Sequence, residues 1–237
     1  MASVPKTDRG PGGDREPPGA GGARLALAVA AALVAASVLL ELAVGEPPAD
    51  GGILTWMDDQ RPGLIVLDEV LVFTGLALGA AAFTARRAVD RRLGERLAVA
   101  HGLVGLTVVM LFVTSLGGGR FVYPVHDIAV ENEDSAALVA GWFYGGQHMV
   151  WLLYGTVVLA VVVAARHLAT AWFTRVGVAV AVCAIVGSYP DALGPGPTLV
   201  VRLAFVAWLI LLAIVVPVRA VAAPPVAPEL VDGSARG

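Results

Sequence analysis

The feature that most constrains this chain is a series of six long apolar segments. They lie at residues 25–44, 64–85, 97–116, 138–165, 172–188 and 198–218. About 20 apolar residues in a helix cross the hydrocarbon core of a bilayer, which is about 30 Å thick. Lipid offers the backbone no hydrogen-bond partners, so segments that span it must be helical unless they close into a barrel. The runs therefore predict an all-α, polytopic integral membrane bundle with six transmembrane helices.

The composition agrees with this interpretation. Of the 237 residues, 57% are hydrophobic and 15% are charged, which leaves too little polar surface to cover a soluble globule. The flanking stretches are instead rich in glycine, proline and charge, a composition that cannot bury enough apolar surface to fold. We therefore expect one membrane domain at residues 24–219, surrounded by the lipid bilayer, between disordered tails at 1–23 and 220–237.

The distribution of basic residues predicts the orientation. Thirteen of the sixteen lysines and arginines fall in the two tails and in the second and fourth loops, whereas the alternate loops hold only Arg61 and Arg120. The positive-inside rule then places both termini in the cytoplasm of a multi-pass protein of the cell membrane. The alternative is that the first segment is a signal peptide cleaved near Gly45, which would leave five spans. We favour a span, because a run of about 20 apolar residues is long for a signal peptide.

Several classes of function are disfavoured. The net charge is −3 and no basic face is visible, so we expect no nucleic-acid partner. The only cysteine, Cys183, excludes an intramolecular disulfide and cysteine-rich metal sites. Two histidines, His101 and His167, lie towards the cytoplasmic side, but His167 is at the interface beside Arg166, so we expect no haem and no other cofactor.

The third loop is long and acidic, but its spacing fits no metal-binding motif. A solvated acidic loop is therefore favoured over a metal site. The residues concerned are His126, Asp127, Glu131, Glu133 and Asp134.

Polar residues of all six segments fall in one layer near the predicted outer end of the bundle. The depth of each residue follows from its distance along the helix to the cytoplasmic boundary, at about 1.5 Å per residue. The layer contains Glu41, Asp68, Glu69, Thr114, Ser115, Gln147, His148, Ser188, Tyr189 and Arg202. Charged side chains in hydrocarbon are costly and normally find partners inside the bundle. We therefore expect the five ionisable groups of this layer to converge, with Arg202 pairing with an acid of the second span.

Such a cluster has two interpretations. It either locks the helices together as an ion-pair network, or it forms a pocket that is open to the outside. Asp68 and Glu69 are about 100° apart on one helix, so they cannot both face Arg202. The unpaired acid would be a proton donor, and Glu69 is the first choice because it lies deeper.

The fourth span adds a second pocket element. Tyr144, His148 and Trp151 follow an i, i+4, i+7 spacing, which aligns them on one face of a helix. The pocket interpretation predicts Glu69, Asp68 and His148 as catalytic residues. It predicts Glu41, Tyr144, Trp151 and Arg202 as substrate-binding residues.

Two functional classes follow from the pocket interpretation. In size, number of spans and intramembrane acids the chain loosely resembles the small integral-membrane terpene cyclases. That resemblance implies an enzyme that performs acid–base chemistry on a lipophilic small molecule, with aromatic rings stabilising positive charge. The alternative is a proton-coupled small-molecule transporter or an accessory subunit of an oligomer or membrane complex. The apolar inner halves of the segments weigh against a carrier.

Two packing predictions complete the analysis. Gly75 and Gly79 on the second span, with Gly102 and Gly105 on the third, are expected at close helix contacts. Aromatic residues near the predicted outer boundary are expected to form an interfacial belt. These are Trp56, Trp142 and Phe143.

Overall fold

A computed structural model describes residues 20–48, 51–89, 91–123, 130–167, 169–189 and 194–221. Helices account for 89% of these residues, and no strand occurs among them. Within the described ranges the helices are α1 (Ala20–Val44), α2 (Ile53–Ala88), α3 (Arg91–Arg96), α4 (Ala98–Val122), α5 (Glu133–Ala165), α6 (Ala171–Val186) and α7 (Pro195–Val221). The predicted all-α class is confirmed.

Five of the helices are long and apolar enough to cross a membrane, namely α1, α2, α4, α5 and α7. The chain is therefore a multi-pass membrane protein by length and composition. The remaining apolar helix, α6, has only 16 residues, or about 24 Å at 1.5 Å per residue, which is less than the ~30 Å hydrocarbon core.

The two predicted disordered tails stay predictions. Helix α1 begins at Ala20, within the stretch predicted to be disordered, and α7 continues to Val221. The rest of both predicted tails, residues 1–19 and 222–237, lies outside the described residues.

The helices pack in the order α1, α2, α4, α5, α6, α7, and α7 returns to contact α1. Helix α1 terminates, and helices α5 and α7 begin, at the same end of the bundle. We call this the upper end and the opposite one the lower end. Fully buried side chains from different helices meet along the bundle axis. Among them are Val34, Leu67, Leu111, Val158 and Phe205.

Helix α6 runs antiparallel to α5 in close contact. A Cβ atom added to Gly155 of α5 would lie 2.6 Å from Ile185 Cγ1 and 2.9 Å from the carbonyl oxygen of Ala181. Further up, the Nδ1 atom of His148 lies 2.6 Å from the carbonyl oxygen of Ser188, just beyond the end of α6. Helix α6 therefore stops at the level of His148, and residues 133–147 of α5 extend above it.

The predicted glycine contacts are found on α2 but not on α4. At Gly75 and Gly79 an added Cβ atom would lie 3.7 and 4.0 Å from side chains of α4, which is ordinary van der Waals contact. A Cβ atom on Gly102 or Gly105 would meet nothing within 4 Å, so the prediction is wrong for these two.

The interfacial aromatic belt stays a prediction for Trp56 and Trp142. Trp142 is 56% exposed, whereas Phe143 is 2% exposed and packs inside the bundle. A Cβ atom on Gly118 would lie 3.0 Å from the Phe143 ring, so α4 fits closely around this side chain. The prediction of a belt position for Phe143 is therefore wrong.

Candidate functional site

A cavity of about 430 Å³ opens at the upper end, in the space above the end of α6. Helices α1, α5 and α7 form its walls, and the turn that follows α6 closes part of its lower side. Polar groups from each of these elements line it. They include Glu41, Tyr144, Gln147, His148, Ser188 and Arg202. The cavity exists because α6 is too short to fill the space beside the upper part of α5.

An ion pair between Glu41 of α1 and Arg202 of α7 crosses the cavity floor. Nη1 of Arg202 donates to Oε2 of Glu41, and the side chains of Arg202 and Glu41 are 16% and 13% exposed, respectively. The Arg202 guanidinium carbon also lies 5.0 Å from the centre of the Trp151 ring, a cation–π distance. The prediction that Arg202 pairs with an acid of the second span is therefore wrong, because its partner is the acid of the first span.

His148 is held in one orientation by the turn after α6. A carbonyl oxygen only accepts hydrogen bonds, so the 2.6 Å contact with Ser188 assigns the ring proton of neutral His148 to Nδ1. The other nitrogen, Nε2, then carries a lone pair and can accept a proton. The Tyr189 ring lies 4.3 Å from the imidazole between ring centres and restrains it further.

Tyr144 and Gln147 form the α5 wall beside His148. The Tyr144 hydroxyl donates to the carbonyl oxygen of Gly45 at 3.1 Å, which ties α5 to the end of α1. The Gln147 side chain is 5% exposed and faces Glu41. Its Nε2 atom, like Nε of Arg202, has no hydrogen-bond partner of normal geometry among the described residues. Both atoms are buried within the protein, and the Gln147 amide lies against the Glu41 carboxylate.

Three aromatic side chains, which we call the aromatic cluster, lie directly below the ion pair. Trp151 and Tyr154 of α5 and Phe205 of α7 are each at most 4% exposed. Their rings contact one another at centre-to-centre distances of 5.2 Å for Trp151–Tyr154, 5.7 Å for Trp151–Phe205 and 4.6 Å for Tyr154–Phe205. The cluster separates the polar cavity from a second cavity in the lower half of the bundle.

This lower cavity has a volume of about 130 Å³ and an almost entirely apolar lining. Tyr154 and Phe205 belong to its lining, together with Trp208 and aliphatic side chains of α1, α2, α4, α5 and α7. The α3 side chain Leu93 lines it as well. The bundle therefore contains two spaces, one polar and one apolar, on either side of the aromatic cluster.

Asp68 belongs to a separate polar contact on the other side of the bundle. It is 8% exposed, and its Oδ1 atom accepts a hydrogen bond from Ser115 Oγ at 2.7 Å. It packs against Gly118 and Gly119 of α4, where added Cβ atoms would lie 3.1 and 3.6 Å from its carboxylate oxygens. Glu69 is exposed on α2 and is not part of the cavity lining.

The five ionisable groups that were predicted to converge therefore do so only in part. Of the residues predicted as catalytic, only His148 lines the cavity, and of those predicted as substrate-binding, Glu41, Tyr144 and Arg202 line it. Trp151 lies beneath the pair, against the Arg202 guanidinium, and does not line the cavity. The catalytic roles of Asp68 and Glu69 stay predictions, although neither lies in the cavity.

Two groups of this site were not selected from the sequence. Gln147 belongs to the same polar layer and directly precedes His148. Its polar amide in an apolar segment could therefore have identified it as a site residue. The role of Ser188 was not visible, because its backbone carbonyl, rather than its side chain, contacts His148.

The described residues contain no group of three or more histidine, cysteine, aspartate or glutamate side chains that could hold a metal ion. Of the acidic loop considered above, His126 and Asp127 lie outside the described residues. Comparison with known proteins found no matching family model, no matching curated protein and no matching solved structure.

Proposed function

We propose that this chain is a six-span protein of the cell membrane with both termini in the cytoplasm, so that the polar cavity opens to the outside. In this arrangement α6 is the fifth span despite its length. The charges of the described residues support it. Arginines concentrate at the lower end, at the end of α2, in α3 and at the start of α6, whereas acids concentrate at the upper end, in the start of α2 and around the start of α5. The positive-inside rule assigns the basic end to the cytoplasm.

Cysteine labelling in intact cells tests this topology. The exposed Cys183 is first replaced by serine, and single cysteines are then introduced at Asp58, at the upper end, or at Arg175, at the lower end. A membrane-impermeant maleimide should label Asp58→Cys in intact cells and Arg175→Cys only after the cells are opened. The reverse pattern would reject the orientation, and external labelling of both would reject three membrane crossings between the two sites.

We further propose that the chain is a membrane-embedded enzyme that performs acid–base chemistry on a lipophilic small molecule. The observation that carries this proposal is the orientation of His148. Its Nδ1–H is held by a backbone carbonyl, which leaves Nε2 as a proton acceptor in a cavity. A positioned imidazole with one nitrogen anchored is the arrangement that general-base catalysis requires.

The other cavity groups have complementary roles in this proposal. Arg202 and Gln147 both line the cavity, so their guanidinium and amide groups would be the donors to an oxygen atom of the substrate. Glu41 holds Arg202 in place and compensates its charge. The apolar part of the substrate would lie against Leu42 and Leu199, which also line the cavity. The substrate class is thus an amphipathic molecule with a carbonyl, hydroxyl or similar oxygen at its polar end.

Turnover of lipids in a defined extract tests the enzyme proposal. The purified protein is incubated in nanodiscs with a total lipid extract, and consumed and formed species are followed by mass spectrometry. His148→Gln should lower turnover about 10²- to 10⁴-fold, the usual contribution of a general base, while substrate still binds. Thr198→Trp should fill the cavity and abolish binding, whereas Val200→Trp, on the lipid-facing side of the same helix, is the matched control. Unchanged turnover in both cavity variants would reject the site.

A proton-coupled transporter is the second candidate, and the lower cavity is the observation that favours it. The two cavities lie on either side of the aromatic cluster, so a rearrangement of Trp151 and Phe205 would connect them. Proteoliposomes containing a pH-sensitive dye discriminate the two functions. A transporter acidifies or alkalinises the lumen when substrate is added outside, whereas an enzyme that works from one side converts substrate without such a flux.

A further inference from the structure

A groove with a volume of about 600 Å³ lies at the lower end between the start of α4 and the end of α5, far from the polar cavity. Its walls combine aliphatic and basic side chains. Val99 of α4 is 69% exposed, and Leu159 and Val163 of α5 are 38% and 54% exposed. Arg96 and Arg166, both exposed, stand at its lower end.

The α5 wall of this groove is one helix face. Thr156, Leu159, Val163 and Arg166 line it at intervals of three, four and three residues, the spacing at which side chains of a helix align. From Arg166 to Thr156 the helix rises about 15 Å at 1.5 Å per residue. This length is half of the ~30 Å hydrocarbon core, and so it corresponds to one leaflet.

The charge at the lower end of the groove is positive. Arg166 Nε donates to Nε2 of its neighbour His167 at 3.1 Å. This contact does not use the two terminal nitrogens of the guanidinium group. Among the described residues that line the groove there is no acid. By contrast, Arg91 on α3, at the same end, already pairs with Glu95 at 3.1 Å. The uncompensated charge is thus located where the aliphatic wall meets the membrane surface.

We propose that this groove binds an anionic phospholipid, with its phosphate between Arg96 and Arg166 and one acyl chain along the aliphatic wall. Basic side chains at the end of a groove between transmembrane helices recognise anionic lipid head groups in this way. The one-leaflet length of the apolar wall favours a lipid over a free phosphate ion, which would use only the arginines. The site is independent of the polar cavity and of the chemistry proposed for it.

Native mass spectrometry of the full-length protein tests the proposal. The protein is released from micelles that contain equal amounts of phosphatidylglycerol and phosphatidylcholine, and the bound lipids are counted. Each arginine near a membrane surface contributes about fivefold to the binding of an anionic lipid. Phosphatidylglycerol adducts should therefore dominate in the wild type, and Arg96→Gln/Arg166→Gln should weaken their binding about 25-fold.

Two matched controls separate this site from a general charge effect. Arg92→Gln/Arg175→Gln removes the same charge from the same end, outside the groove, and should retain wild-type binding. Val163→Trp fills the apolar wall without changing charge and should reduce binding of phosphatidylglycerol. Equal loss in both arginine double variants, or displacement of the lipid by millimolar inorganic phosphate with no effect of Val163→Trp, would overturn the lipid site.

Discussion

The contact between α5 and α6 predicts a large difference between two glycine-to-alanine substitutions on one helix. In Gly155→Ala, the added Cβ atom meets the Ala181 carbonyl oxygen at 2.9 Å and Ile185 Cγ1 at 2.6 Å. The Ile185 side chain can rotate away, but the carbonyl oxygen belongs to the backbone of α6. Restoring an ordinary separation of at least 3.4 Å requires α6 to move by about 0.5 Å relative to α5.

The expected magnitude follows from this geometry. Forcing one additional methyl group into a tightly packed contact costs about 1–3 kcal/mol. Gly145→Ala, ten residues earlier on α5, places its Cβ atom where nothing lies within 4 Å. That variant should instead gain about 0.4–1 kcal/mol, because alanine loses less chain entropy than glycine when it enters a helix. Gly155→Ala gains the same entropy term, so the two variants should differ by the packing cost alone, about 1–3 kcal/mol.

Reversible unfolding in mixed micelles measures this difference. Both variants are titrated with sodium dodecyl sulphate in dodecyl maltoside, and the free energy of unfolding is taken from the loss of helical circular dichroism. A displaced α6 also carries Ser188 away from His148, so Gly155→Ala should lower any turnover that depends on His148 more than Gly145→Ala does. If the two alanine variants are equally stable, α5 and α6 are not packed as described.

Three polar contacts are tested by the same unfolding measurement. Glu41→Leu and Arg202→Leu should each cost about 3–5 kcal/mol, because each single change leaves a buried charge unpaired. The double variant should cost clearly less than the sum of the two single variants. Additive losses would show that the pair is not coupled. Asp68→Ala should cost about 1–3 kcal/mol by leaving the Ser115 hydroxyl unsatisfied, and Ser115→Ala in that background should cost little more; a full additional loss would refute the contact. Tyr144→Phe should cost about 1 kcal/mol, since it removes one hydrogen bond to the end of α1, and no loss at all would argue against that bond.

The sequence predicted depth along the helices far better than direction around them. Depth depends only on the number of residues from the basic boundary, and the layer holding Glu41, His148 and Arg202 was found in this way. The direction in which a side chain points around the helix axis depends on which neighbours that helix packs against. Because lipid and protein core are both apolar, the sequence has no periodic apolar stripe that would indicate the buried face. For this reason the first-span acid was not predicted as the partner of Arg202, and the exposed position of Glu69 was not foreseen.

The prediction that Gly102 and Gly105 lie at close helix contacts was wrong for a related physical reason. Small residues permit helices to approach closely, but which glycines are used depends on the helix faces that meet. Gly155 faces α6, whereas Gly102 and Gly105 face open space. Glycines in a sequence show where two helices could approach closely. Which of these glycines lie at a helix contact is known only once the arrangement of the helices is known.

With α6 as the proposed fifth span, its shortness would make the protein sensitive to the thickness of its bilayer. In a membrane with longer acyl chains, the polar turn after Gly187 would be drawn below the head-group region, and the nearby bilayer would have to thin to keep this turn out of hydrocarbon. Thin bilayers accommodate this end at no such cost. The same chain should therefore be most stable, and its polar cavity best hydrated, in membranes of short or unsaturated lipids, and lipid composition would set its activity without any specific ligand.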